Sequence, residues 1–155
     1  MITMAIDPGL SGAIGVLRDG QYVNVYDMPI VSKGSGSVKN EVDPAGIISI
    51  LKQYKDDQQI VVVERVNAMP GQGSSSTFSL GDSFGCARAA VAACELGLFY
   101  VSPVTWKKYF KLPSDKEASR ALGVRLYPTA PLNLKKHADR AEALLMARWL
   151  YETRL

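Results

Sequence analysis

A chain of 155 residues with 47% hydrophobic content is long enough to bury a core, and its length favours one domain, residues 1–155. No apolar run reaches the roughly 18 residues of a membrane span, and no basic start, apolar stretch and cleavage site marks a secreted chain, so a cytoplasmic location is expected. The net charge of +3 is a mild bias that admits a nucleic-acid partner without demanding one.

In chain order, Ile2 to Ile6 reads as a buried strand. Ala13 to Leu17 and Tyr22 to Tyr26 read as the next two, with Asp19-Gly20 as the hairpin turn between them. Val31 to Asn40, VSKGSGSVKN, has the composition of a mobile loop. Asp43-Pro44 then starts a helix, the acid as N-cap and the proline at the first position. That helix carries Ile47, Ile48 and Leu51 at core spacing and fades between Tyr54 and Asp57. Ile60 to Val63, IVVV, is a β-branched run of the kind found in central strands, and it ends on Glu64. Arg65 to Thr77 reads as a long polar loop and Phe78 to Leu96 as a small-residue helix. Leu98 to Val101 is a fifth strand, and Pro103 to Phe110, Asp115 to Leu126 and His137 to Glu152 are helical. This order argues a mixed five-stranded α/β sheet with helices on both faces. Cys86 and Cys94, eight apart on one helix, are separated by about 12 Å of rise and read as reduced core residues.

Four acids stand out. Asp7 sits at the mouth of a glycine turn in AIDPGLSGAIGVL, where a turn alone needs only the glycines. Glu64 ends the β-branched strand. If the two strands lie parallel and adjacent, both carboxylates fall at one sheet edge, where open α/β folds bind ligands. In HADRAEALLMARW, Asp139 and Glu142 are three apart and share one face of a helix whose middle is apolar almost all round. Each acid alone has an ordinary reading: a turn residue, a rim residue, or helix N-terminal charges. Together they repel, at roughly 4 kcal/mol per pair at about 4 Å and an effective dielectric of about 20. A cation or bound protons must relieve that. Oxygen-only ligands suit Mg²⁺ or Mn²⁺, and two such ions can activate water and stabilise the leaving oxygen of a phosphodiester. Gly9 and Gly12 then leave room for a phosphate backbone.

With these residues in view, the chain resembles RuvC-like Holliday junction resolvases of the ribonuclease-H-like superfamily, most closely the short bacteriophage versions. The landmarks are IDPGLSG, VVVERVNAMPGQGSSSTFSLGDSFG, SPVTWKKYF with SDKEASRAL, and HADRAEALL. The resemblance runs from about Ile6 to Trp149. It implies a ribonuclease-H-like α/β fold, a homodimer, branched DNA as substrate, and catalytic, metal-binding acids at Asp7, Glu64, Asp139 and Glu142. Glu142 departs from the family's usual aspartate and is one methylene longer, so its helix must sit slightly further back. The resemblance places DNA-binding lysines at Lys107, Lys108 and Lys116 and a junction-stacking aromatic near Phe78. For each there is a plainer alternative: a solvated basic face for the lysines, the first core residue of a helix for Phe78. His137 reads better as a capping residue than as a phosphate contact.

The function implied is a Mg²⁺-dependent endonuclease that cuts four-way DNA junctions. Its nearest alternative is an RNA–DNA hybrid nuclease of the ribonuclease H type. An actin-like sugar or acyl kinase needs a second sheet domain for which 155 residues leave no room. A non-catalytic DNA-binding module of the same fold should lack at least one of the four acids.

Overall fold

The computed structural model describes residues 1–35, 39–55 and 58–154. Its centre is a five-stranded sheet built from β1 (Ile2–Asp7), β2 (Ala13–Arg18), β3 (Gln21–Asp27), β6 (Gln59–Glu64) and β7 (Gly97–Val101), in the order β3-β2-β1-β6-β7. The first three strands form an antiparallel meander, and β6 and β7 add in parallel to β1. The expected fold class is therefore observed.

Strand alternation decides which side chain meets which layer. Ile2, Met4 and Ile6 of β1 join Val61 and Val63 of β6 in a core under α1 (Pro44–Lys52) and α2 (Ser74–Ala93). Ala5 and Val62 face the other way, into a core made with Trp106 and the buried run Ala141 to Ala147 of α5 (Ala138–Arg154). Asp7 and Glu64 keep the parity of Ala5 and Val62. They stand on the α5 face of the sheet, each one residue past the last parallel pair, Ile6–Val63. α5 seats directly on the sheet because Gly15 of β2 has no side chain. A Cβ there would lie 2.8 Å from the Ala143 backbone.

The helix starts follow the sequence. Asp43 caps α1, with its Oδ1 accepting from Ala45 N at 3.1 Å and proline next. Ser102 caps α3 (Pro103–Tyr109), and Asp115 caps α4 (Lys116–Leu126). Of the α1 residues read as core, Ile47 and Leu51 are fully buried, whereas Ile48 is half-buried and Ile50 takes an inward place. The fade of this helix toward Asp57 falls partly on residues 56–57, outside the described residues.

Two expectations are corrected. The stretch Val31 to Asn40 is not loop throughout: β4 (Ile30–Ser32) and β5 (Asn40–Val42) pair as an antiparallel hairpin, with residues 36–38 outside the described residues. Its serines and glycines mask short flanking strands. The second is the start of α2 at Ser74 rather than Phe78. Gly73 stands extended ahead of the helix, and its carbonyl accepts from both the backbone N–H and the hydroxyl of Thr77 at 3.0 Å. A serine-rich run that reads as loop therefore forms the first turn. Cys86 and Cys94 are free and half-buried at the edge of a core. No helix among the described residues is long and apolar enough to cross a membrane.

Candidate metal centre

The ends of β1 and β6 and the first turns of α5 enclose a cavity of about 410 Å³ lined by Asp7, Glu64, Asp139 and Glu142, with Lys107 and Lys116 on its wall. One ligand oxygen from each of Asp7, Asp139 and Glu142 falls within 4.8 Å of the others. Glu64 is outside that trio but shares the cavity and repels both Asp7 and Glu142. The four acids read from the sequence thus meet in one pocket as three plus one.

Lysines answer the acids directly. Lys107 Nζ lies 3.0 Å from Glu142 Oε1, with both side chains largely buried, and Lys116 pairs with Asp139. Lys108 behaves differently. It is exposed and lines a neighbouring cavity rather than the acid pocket.

The electrostatics differ among the acids. Burial pushes the Asp7 carboxyl well above its ordinary pKa, and repulsion from Glu64, Asp139 and Glu142 adds to the rise. The nearby Lys116 charge pulls the other way. Glu64 is also raised, by burial first and by Glu142, while a hydrogen bond from Trp106 pulls the other way. Such a clustered set of oxygen donors fits a hard divalent cation, whose charge would remove the repulsion that otherwise drives proton uptake.

Two supporting residues carry no sequence signal of their own. Trp106 is fully buried, and its Nε1–H donates to Glu64 Oε2 at 2.7 Å from a position 42 residues away. Ser119 of α4 is buried as well, and its hydroxyl donates to Glu142 Oε1 at 3.1 Å. The first contact joins α3 to the end of β6, and the second joins α4 to α5. The first turn of α5 is further held by Arg140, whose guanidinium grips Asp27 bidentately at 2.7 and 2.9 Å and donates to the Pro131 carbonyl. Arg140 is thus engaged in a structural fork.

The remaining expected residues sort as follows. His137 is a cap: its Nδ1 accepts from Leu134 N at 3.1 Å, and burial, with Arg140 and Lys136 nearby, lowers its pKa. Gly12 lines the acid pocket, but the fold itself demands it, since a Cβ would lie 1.9 Å from the Asp7 carbonyl oxygen. Phe78 is 73% exposed on the second turn of α2, which excludes the core reading. Beside the acid pocket, and sharing Gly9, Leu10 and Ser11 with it, runs a cavity of about 250 Å³ lined by Ser76, Ser79 and Ser83 of α2.

No family model matches the sequence, and neither does any curated protein. Solved structures do. The RuvC structure of Thermus thermophilus superposes with a TM-score of 0.59 at 17% identity, covering 98% of this chain and 96% of that one. T. thermophilus RuvC in complex with Holliday junction substrate superposes at 0.60 and 15% identity, covering 99% and 97%. At these identities the likeness is one of fold, and it extends over nearly the whole of both chains: the chain has a RuvC-like, ribonuclease-H-like α/β fold.

Proposed function

We propose that the chain, acting as one nuclease domain over residues 1–155, is a Mg²⁺-dependent endonuclease that cleaves four-way and other branched DNA. The observation that carries this reading is the enclosed trio Asp7, Asp139 and Glu142 with Glu64 beside it, on a RuvC-like fold. The T. thermophilus protein bound to a Holliday junction supports branched DNA as the substrate class. In kind the chain stands with the short bacteriophage resolvases, works as a homodimer, and acts in the cytoplasm.

Asp7, Asp139 and Glu142 would hold one ion, and Glu64 with Asp7 would hold a second; Mn²⁺ suits the same oxygens. Ions held there would supply the charge that lowers the pKa of an attacking water and neutralises the leaving oxygen of a phosphodiester. The residues of the chain do the rest. Trp106 fixes one oxygen of Glu64 by its hydrogen bond and leaves the other for the pocket. Ser119 fixes Glu142 in the same manner, offsetting the extra methylene of the glutamate. Lys107 and Lys116, paired with acids in the structure, sit where a phosphate would enter and can exchange a carboxylate for it. Lys108 adds a phosphate contact outside the pocket. Gly12 leaves the floor beside Asp7 open to the backbone of the strand. Phe78, exposed on α2, stacks on bases unpaired at the crossover.

An assay on one four-way junction, the matched linear duplex and an RNA–DNA hybrid tests this directly. Mg²⁺-dependent cutting of the junction, lost in Asp7→Asn, is expected. Preferential cutting of the hybrid would replace the reading by a ribonuclease H activity.

A further inference from the structure

A second cavity adjoins the acid pocket at α3. It measures about 730 Å³ and is lined by Pro103, Val104, Leu112 and Ser114 together with Lys107, Lys108 and Lys111. We propose that it is a second binding site, for an unpaired nucleotide of the DNA strand held at the metal centre; this rests on the reading of the chain as a junction nuclease.

Three observations carry the assignment. The first is chemical. Apart from Ser114 the uncharged lining is apolar, the lining residues that ionise are all lysines, and among the described residues no carboxylate lines the cavity. An apolar slot with a cationic rim suits a ligand that joins a flat apolar body to a phosphate. The second is continuity. Pro103 and Lys107 line both this cavity and the acid pocket, so an occupant lies next to the position of the reacting phosphate. The third is local conformation. Lys111 ends α3 in the left-handed region at φ 56°, where a glycine would stand with less strain. The turn closes around it with Leu112 N donating to the Lys107 carbonyl at 2.8 Å and Lys111 N to the Lys108 carbonyl at 3.0 Å. A strained lysine at the rim of a cationic slot places a side chain where ending the helix would not require one.

A paired duplex hides its base faces in the stack. Only a base released from pairing, as at a strand crossover, can lie against Val104 and Leu112 while its phosphate meets Lys108 or Lys111. Val104 is 76% exposed, so the wall it forms can be changed without disturbing the core.

The test uses the full chain in EDTA, so that no cleavage intervenes. Its probes are two duplexes of equal length, one fully paired and one with a single unpaired 2-aminopurine. Val104→Ser should weaken binding of the second by about three- to tenfold and change the first by less than about twofold. Val104→Phe, which widens the apolar face, should tighten the second only, and the 2-aminopurine emission should respond in step. Lys111→Gly should leave Tm unchanged or raised and reduce the salt slope of binding by roughly 0.9. Equal effects of the Val104 variants on both duplexes would overturn the proposal. So would a change in sedimentation mass, which would make the cavity a contact between copies of the chain. Cleavage of a four-way junction in Mg²⁺ by the same wild-type protein is scored separately. Cleavage with no Val104 effect sinks the second site alone, and a Val104 effect without cleavage sinks the nuclease reading while the nucleotide site stands.

Discussion

Replacing Asp7 by asparagine should make the metal-free protein more stable while abolishing cleavage. The Asp7, Asp139 and Glu142 oxygens lie within 4.8 Å of one another. At that separation each pair of full charges costs about 3.5 kcal/mol at an effective dielectric of about 20, and Asp7 enters two pairs. Lys107 and Lys116 offset part of this through Glu142 and Asp139. Proton uptake sets a ceiling. A carboxyl of ordinary pKa 3.8 can be protonated at pH 7 for about 4.4 kcal/mol, so the penalty of Asp7 cannot exceed that. The variant should therefore gain about 2–4 kcal/mol in EDTA at pH 7, or about 5–10 °C in Tm. The pH dependence has a definite sign. Burial and the neighbouring carboxylates raise the Asp7 pKa in the folded state, so wild type holds that proton more tightly when folded. Its stability relative to the variant is restored as pH falls and lost as pH rises through the folded value. The gap should thus be widest near neutral pH and close toward pH 4, the ordinary value of the group. Saturating Mg²⁺ should reverse the order, because only wild type keeps the full donor set. Urea unfolding of both proteins across pH, with and without Mg²⁺, measures all of this. A variant no more stable than wild type at pH 7 in EDTA would refute the reasoning, since the acids would then not repel as their geometry requires.

Trp106→Phe keeps the buried ring but removes the donor to Glu64, leaving a buried carboxylate short of a hydrogen bond worth about 1.5–3 kcal/mol. Calorimetric Mn²⁺ binding should weaken at least tenfold, and unaltered binding would free Glu64 from its dependence on the indole. Changing Lys107 and Lys108 together to alanine should flatten the salt dependence of junction binding by roughly 0.9 per lost phosphate contact. An unchanged slope leaves Lys107 as a partner of Glu142 alone and returns Lys108 to a solvated face. Phe78→Ala should cost the junction roughly 1–3 kcal/mol of binding, leave the linear duplex alone, and leave Tm nearly constant because the ring is 73% exposed. Loss on both substrates alike argues against stacking.

How far the sequence could be read depended on whether the signal was local. The parity of Asp7 with Ala5 and of Glu64 with Val62 follows from strand alternation, so the convergence of β1 and β6 on one edge was legible once those strands were taken as parallel. The shared face of Asp139 and Glu142 followed from helical spacing, and the apolar run behind them told which face α5 buries. Turn composition misled in two places. In 31–40 it concealed a hairpin whose strands are three residues each, too short to show alternation. In 74–77 it concealed a helical turn, because serine serves both a loop and a helix start. Trp106 and Ser119 could not have been found at all. Their partners stand 42 and 23 residues away, and no spacing rule connects a tryptophan on one helix to a glutamate at the end of a strand.

The seating of α5 against Gly15 has a consequence for how the molecule comes into being. This helix supplies two of the four acids and also covers the sheet face that carries Ala5, Leu17 and Val62. Until residues 138–154 have been synthesised, that face lacks its main cover, and the parallel pairing of β1 with β6 must bring distant segments together. Such non-local contacts form slowly. A chain without α5 in place is therefore both sticky and inert: it exposes apolar surface, and it holds Asp7 and Glu64 without the rest of the site. Docking of α5 both buries that surface and completes the acid cluster. A chain cut short before α5 would emerge as a target for chaperones and proteases rather than as an unguarded nuclease.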